Sequence, residues 1–409
     1  MFVCRRLIPT VAALMIMAAA ASAQTILQGA DGDGFYIPPP LPDAPLGTPI
    51  WTRPLEGTMA LPSASRNILA AYRSVDDKGR AVPVSGTISI PQGTAPKGGW
   101  TVIAWTHGTT GLSAICAPSR DTATGPEHDY IEIIRTLLDG FVKKGYAVVA
   151  TDYAGLGIAG FHPFLQGVPT GRNALDMLRA ARAIAPDIGT RYAVMGHSQG
   201  GQVDLFAASM GRAYLPDFTL VGNVAFAPGS QIIDRLDAVM ASGKAELSLP
   251  YVLYTLQSYA TTDRRIDLRR ILTPQALRHL PDLHVQCMSY ALTKTYWATA
   301  IAKDQFVSKP DIAAFRSFAI LNEPGRLEIT APTLILQGTD DVTVFPQATD
   351  ALARQLCKSG NVLAYKPVAG ADHNGSMIRG GGLAQDFIDA RFAGKKPEND
   401  CKALPKAGK

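Results

Sequence analysis

The sequence predicts an α/β fold: a mostly parallel sheet with helices on both faces and one helical insertion. Three observations carry this. From residue 100 onward, short apolar strands alternate with amphipathic segments of helix length. One of those strands, "RYAVMGH", runs straight into the tight G-x-S-x-G turn around Ser198. The alternation is interrupted once, from 231 to about 328, by far more chain than the dozen or so residues of an ordinary crossover. The 409 residues are 47% apolar and 18% charged, a globular composition with enough chain for one large core plus an insertion.

Taken in order, residues 1–23 carry Arg5 and Arg6, then an apolar stretch, then Ala21-Ser22-Ala23 before Gln24. This is the pattern of a secretory leader, too short for a stable membrane anchor, and it implies a periplasmic or extracellular protein. Cys4 leaves with it, so Cys116, Cys287, Cys357 and Cys401 remain. An even number in an oxidising compartment favours disulfides over buried free thiols, and the absence of C-x-x-C speaks against a zinc site. Three pairings are open; chain order favours Cys116–Cys287 and Cys357–Cys401. The formal charge of +5 falls to +3 without the leader's two arginines, and the remaining charges are dispersed. Nothing in that pattern implies nucleic acid.

Residues 24–60 are rich in Pro and Gly ("FYIPPPLPDAPLGTPI") and read as an extended arm on the surface. "DGDG" at 31–34 begins like a calcium loop but lacks its downstream Glu, so it reads as a solvated turn. "NILAAYRSV" and "VPVSGTISIP" flank "DDKGR", a β-hairpin with Gly79 in the turn. Then come the strand "WTVIAW" (100–105), a helix over 130–145 stopped by glycine, the strand "YAVVATD" (146–152) and a helix over 171–186. "RYAVMGH", an Ala-rich helix and "LVGNVAFAP" (220–228) follow. After the insertion come "PTLILQGT" (332–339), "PQATDALARQLCKSG", "NVLAYKPV" (361–368) and "LAQDFIDARFAG". The core therefore comprises 61–230 and 329–409. The insertion, 231–328, holds apolar and aromatic clusters such as "LPYVLYTLQSYA" and "IAAFRSFAIL". It reads as a cap or lid over the catalytic end of the sheet, against the plainer alternative of a subdomain packed only on itself.

The G-x-S-x-G pattern is weak alone, but a strand before it and a helix after it supply the context of a nucleophile elbow. Gly196 and Gly200 give the room such a turn needs. A serine hydroxyl attacks only when a base takes its proton and a carboxylate orients that base. Of the seven histidines, only His373, in "VAGADHNGS", follows the last strand, which makes it the candidate base for Ser198. His197 abuts the serine with its side chain pointing away; His128, His162, His279 and His284 read as surface or structural residues. The acid falls in "TDDVTVFP" after a strand, with Asp341 preferred and Asp340 the alternative. Two backbone donors are expected for an oxyanion: the N–H of Gln199, and one from "THGTTGL", Thr109 with Thr110 next.

With Ser198, Asp341 and His373 in register, the chain resembles the secretory lipase family, α/β-hydrolases of the lipase A type. The likeness runs from "FYIPPPLP" to the last cysteine. It is carried by "TDYAGLGIAGFHPFLQGVPTGRNALDMLRAAR", "GHSQGG", "CAPS" at 116–119 and "NEPG" at 322–325. The resemblance implies an α/β-hydrolase fold with a helical lid, hydrolysis of carboxylic esters including acylglycerols, and the bridges Cys116–Cys287 and Cys357–Cys401. "HGTTG" departs from the fungal members, which leaves the second oxyanion donor open. No metal or organic cofactor is required, and the expected partner is a small-molecule or lipid ester, with transient lipid-interface contact through the lid. Oligomeric state is not legible. The same triad also serves peptidases, amidases and acyltransferases, and a non-catalytic binding module is the reading from another class.

Overall fold

The computed structural model describes residues 26–404. The expected leader, with Arg5, Arg6 and Ala21-Ser22-Ala23, lies outside the described residues. In chain order the strands are β1 (Leu27–Gln28), β2 (Pro49–Pro54), β3 (Ala64–Val75), β4 (Ala81–Pro91), β5 (Trp100–Thr106), β6 (Ala147–Thr151), β7 (Ile188–His197), β8 (Thr219–Phe226), β9 (Thr333–Gly338) and β10 (Leu363–Val368). The core helices are α1 (His128–Lys143) between β5 and β6, α2 (Gly167–Ile184) between β6 and β7, and α3 (Gln199–Tyr214) between β7 and β8. Between β8 and β9 lie α4 (Ile232–Ala241), α5 (Leu249–Thr262), α6 (Pro274–His279), α7 (Asp282–Val285), α8 (Met288–Thr293) and α9 (Ala313–Leu321). Helix α10 (Pro346–Lys358) links β9 to β10, and α11 (Gly375–Phe392) follows.

Among the described residues the strands form a 10-stranded sheet in the order β1-β2-β3-β4-β6-β5-β7-β8-β9-β10. From β6 to β10 neighbouring strands are parallel, the β2–β3, β3–β4 and β4–β6 pairings are antiparallel, and the short β1 pairs parallel with β2. Side chains alternate along the central strands. Ile103, Trp105, Ala193 and Met195 pack under α1 and α11, while Val102, Ala104, Tyr192 and Val194 pack under α2. That two-sided burial is why these strands read as continuous apolar runs.

Two elements differ from the sequence expectation. The 24–60 segment does more than lie on the surface: β2 pairs with β3, and Phe35, Tyr36, Ile50 and Leu55 form a buried cluster with Leu69 and Ala71. Its Pro and Gly content masked the strand "PIWTRP", which tertiary pairing stabilises against low propensity. The last helix begins at Gly375 rather than Leu383. Its glycines reduce helix propensity, but Gly380 packs on Leu336, Val368 and Phe226, and that contact with the sheet compensates.

Helices α4–α9 bury a cluster of their own, including Leu253, Tyr259, Trp297 and Phe315, joined by Phe164 from the core. Two motifs anchor this segment. In "NEPG", the Glu323 carboxylate accepts the backbone N–H groups of Gln231 and Ile232 at the start of α4, and the Asn322 side chain accepts the Gly167 N–H. The disulfide Cys116–Cys287 joins the loop after β5 to the start of α8; Cys357–Cys401 ties the C-terminal segment to α10. No described helix is long and apolar enough to cross a membrane.

Candidate active site

Ser198 sits between β7 and α3 with φ 59° and ψ −118°. A non-glycine residue avoids this backbone region unless the surrounding fold holds it there. The fold does so here. The Ser198 N–H donates to Phe226 at the end of β8, 2.9 Å away, and its carbonyl accepts the Gly229 N–H at 2.8 Å. A Cβ on Gly196 would collide with the Thr106 hydroxyl and the Gly200 carbonyl, and one on Gly200 would strike the Thr106 carbonyl. The turn can close only because both positions are glycine.

His373 lies in the loop after β10, and its Nδ1–H donates to Asp341 Oδ2 at 2.7 Å. Asp341 follows β9 and is buried; Asp340 is exposed and bonds the Thr339 hydroxyl instead. The Asp341 carboxylate also accepts N–H groups from Thr343 and Val344 through Oδ1 and the Gln337 amide through Oδ2. Burial pushes its pKa up, but the His373 ring and the two backbone donors outweigh burial and hold it below the usual carboxylate range. The sheet thus delivers Ser198, Asp341 and His373 to one place from the carboxyl ends of three parallel strands. Ser198 and His373 line the same cavity.

Gln199 is the first residue of α3, where a helical N–H has no intrahelical acceptor. Its side chain is engaged elsewhere, donating to His162 Nε2 at 2.9 Å. The other ring nitrogen of His162 donates to the Ala154 carbonyl, and burial lowers its pKa to about 3, so the ring stays neutral. In the "THGTTGL" loop, Thr109 lines the cavity at Ser198, whereas Thr110 is fully buried and its carbonyl accepts the Met288 N–H.

Several further residues near the site were given no role by the sequence. The Tyr130 hydroxyl accepts the Gly108 N–H at 2.8 Å and donates to His197 Nδ1 at 2.9 Å. Asp152 accepts from Ser85 and from Ser119 of "CAPS", and His107 of the "THGTTGL" loop lies beside it. Glu127 is buried against the cavity. Each acts through a contact between segments distant in sequence, so spacing could not have revealed it.

Ser198 opens on two adjoining cavities. One is mostly apolar, lined by Phe164, Leu165, Leu236, Val252 and Phe315. The other holds His373, Glu127, Tyr130, Ser289 and Asn374.

A ten-stranded sheet of this order, with a strained serine after its central strand and an Asp–His pair on the loops beyond, defines an α/β-hydrolase. The chain matches the secretory lipase family over residues 129–400 and belongs to it, and with that it is an ester hydrolase. Among solved structures it is similar to Candida antarctica lipase A in its closed state, at 18% identity and TM-score 0.74, covering 89% of this chain and 86% of that one. It is also similar to the rice cell wall degrading esterase LipA from Xanthomonas oryzae, at 18% identity and TM-score 0.71, over 86% of this chain and 100% of that one. A putative hydrolase from Legionella pneumophila matches at 19% identity and TM-score 0.69, over 84% and 98%. At such identities these likenesses speak for the fold. No curated protein matches the chain. The family's description and the two disulfides fit an exported protein.

Proposed function

We propose that the protein is an exported serine hydrolase that cleaves carboxylic esters with hydrophobic acyl groups, acylglycerols among them. The observation that carries this reading is the Asp341–His373 hydrogen bond of 2.7 Å, opening on the same cavity as Ser198. The Ser198 hydroxyl attacks the ester carbonyl while His373 Nε2 takes its proton, and Asp341 steadies the imidazolium. The N–H groups of Gln199 and Thr109 receive the oxyanion. His373 then returns the proton to the departing alcohol, and water repeats the cycle on the acyl-enzyme.

In this reading residues 231–328 serve as a lid. Its Tyr251, Val252 and Phe315 line the apolar cavity at Ser198, which supports an acyl site built partly from the insertion. Residues 24–60 act as an arm on the core formed by 61–230 and 329–409. Short p-nitrophenyl esters and a fluorophosphonate probe test the assignment together. Wild-type protein is expected to turn over the esters and to label at Ser198. A Ser198→Ala variant with near wild-type turnover sinks it. Profiling acyl chains from acetate to palmitate, with and without an emulsified phase, then separates lipase from esterase.

A further inference from the structure

The two cavities at Ser198 differ in one respect that fixes their roles. His373 lines only one of them. The group that returns a proton to the leaving oxygen must face that oxygen, so the His373 side receives the alcohol and the apolar side receives the acyl chain. This assignment rests on the ester-hydrolase reading above.

The alcohol side contains a buried carboxyl group, that of Glu127, only 5% exposed. Glu127 stands at the N-cap of α1, yet its side chain makes no capping bond there. It points instead toward α8, where Oε1 accepts the Ser289 N–H at 2.7 Å. Oε2 makes no further hydrogen bond of its own among the described residues, and the one side-chain donor that bears on the carboxyl is the Ser289 hydroxyl. The charged neighbour that bears on the group is another carboxylate, Asp121, and no cation compensates it. A largely buried carboxylate with few donors and no cation is costly, and a ligand hydroxyl that donates to its second oxygen relieves that cost.

We propose that Glu127 Oε2 accepts a hydrogen bond from a second hydroxyl on the leaving alcohol, so that the enzyme selects esters of hydroxyl-bearing alcohols over esters of simple alkanols. Asn374, Ser289 and Asp372 also line this cavity, beside Met288, Leu292 and Val342, so it offers polar partners that the acyl side largely lacks. Glycerol and sugars share this chemistry, and the enzyme discriminates on the alcohol half of the ester while the apolar cavity reads the acyl half.

The test compares butyrate esters that share the acyl group and differ in the alcohol: ethyl butyrate, glyceryl monobutyrate and the 6-butyrate of methyl glucoside. The readout, taken at pH 8 where the Glu127 carboxyl is ionised and both its oxygens can only accept, is the ratio of kcat/KM for each hydroxyl-bearing ester to that for ethyl butyrate. A ratio above about ten for at least one of them in the wild type is expected, the size of effect one buried hydrogen bond gives. The larger ratio identifies glycerol or sugar as the source. Glu127→Leu should lower the ratio about tenfold. Glu127→Gln, which keeps the size and an oxygen for Ser289 but turns the amide NH2, a donor that cannot accept, toward the cavity, should lower it about fivefold. Fluorophosphonate labelling of Ser198 reports that each variant is folded, and if the leucine variant does not fold, the glutamine variant decides. A Glu127→Gln ratio within twofold of wild type overturns the inference. So does a wild type without preference among the three esters, while the ester-hydrolase reading stands. A wild type that hydrolyses none of them overturns both.

Discussion

His197 Nε2 lies 3.2 Å from the carbonyl oxygen of His373, and the two rings pack with centroids 4.5 Å apart. A carbonyl can only accept, so Nε2 carries the proton and Nδ1 is free to accept from Tyr130, whose hydroxyl in turn accepts from Gly108. Burial, followed by the neighbouring His373 charge, holds the His197 pKa well below its ordinary value and keeps this tautomer neutral. One relay therefore ties the loop bearing the candidate base to the loop bearing Thr109. Gly108 must be glycine for the relay to close, since a Cβ there would meet the Tyr130 hydroxyl. His197, next to the serine in sequence, is a positioning residue.

Tyr130→Phe tests that relay. The substitution keeps the ring and removes the hydroxyl, leaving the Gly108 N–H and His197 Nδ1 without their partner. We expect kcat to fall about tenfold with KM little changed, because the loss concerns alignment of the oxyanion donor and the base in the transition state. Steady-state kinetics on one p-nitrophenyl ester give the split. A rise in KM at constant kcat contradicts the role.

Asp341→Asn removes the carboxylate that receives the His373 Nδ1–H. The amide matches the shape but favours the wrong imidazole tautomer, and kcat is expected to fall by about 10⁴, the loss this change causes in other triads. Asp341→Asn also changes the acid limb of stability. Its folded pKa lies below the ordinary value, so its stabilisation is complete above about pH 4 and is lost as pH falls through the folded pKa. The Tm gap between wild type and variant should therefore narrow on acidification below about pH 4. A gap that widens there contradicts the ionised pair.

The parallel strands and the helices between them were legible because two-sided burial writes each strand as an unbroken apolar run, ended by glycine or proline. Ser198 was legible because its elbow demands small residues at fixed offsets, and His373 because only one histidine followed the last strand. The strand β2 was hidden in a Pro-rich segment, since its stability comes from pairing with β3 and from packing its Ile50 with Phe35 and Leu69 rather than from its own propensity. Glu127 and Tyr130 sit at an unremarkable helix start; what matters about them is contact with Ser289 and His197, which lie 162 and 67 residues away in sequence. The apolar cavity was foreshadowed by the aromatic and aliphatic residues of the insertion, whereas the cavity holding Glu127 and His373 was out of reach, because it is lined from segments of both the core and the insertion.

The Cys116–Cys287 bridge closes 171 residues and holds α8 beside the Thr109–Thr110 loop, where Met288 N–H also donates to Thr110. Cys357–Cys401 closes 44 residues and lines neither cavity at Ser198. Replacing either pair by serine should cost about 2–5 kcal/mol of stability. Only the Cys116/Cys287 double variant should also lose kcat at a temperature where both variants remain folded, since only that bridge adjoins Thr109. Thermal unfolding and kinetics measured side by side check this, and equal kcat in the two double variants contradicts it.

Glu127 also predicts a pH signature in stability that is independent of catalysis. Burial pushes its pKa up to about 7 from an ordinary 4.5. Between these values the unfolded chain has released the proton and the folded chain still holds it, so this carboxyl makes the fold less stable as pH rises from about 4.5 to 7. The accumulated cost is about 3 kcal/mol above pH 7. Glu127→Gln cannot ionise and is free of that cost. Relative to wild type, the variant should therefore gain stability between pH 5 and pH 8, by up to ~3 kcal/mol. Denaturant unfolding of both proteins at the two pH values measures the difference. A variant whose stability relative to wild type is the same at both shows that the buried carboxyl ionises as freely folded as unfolded, and contradicts the prediction.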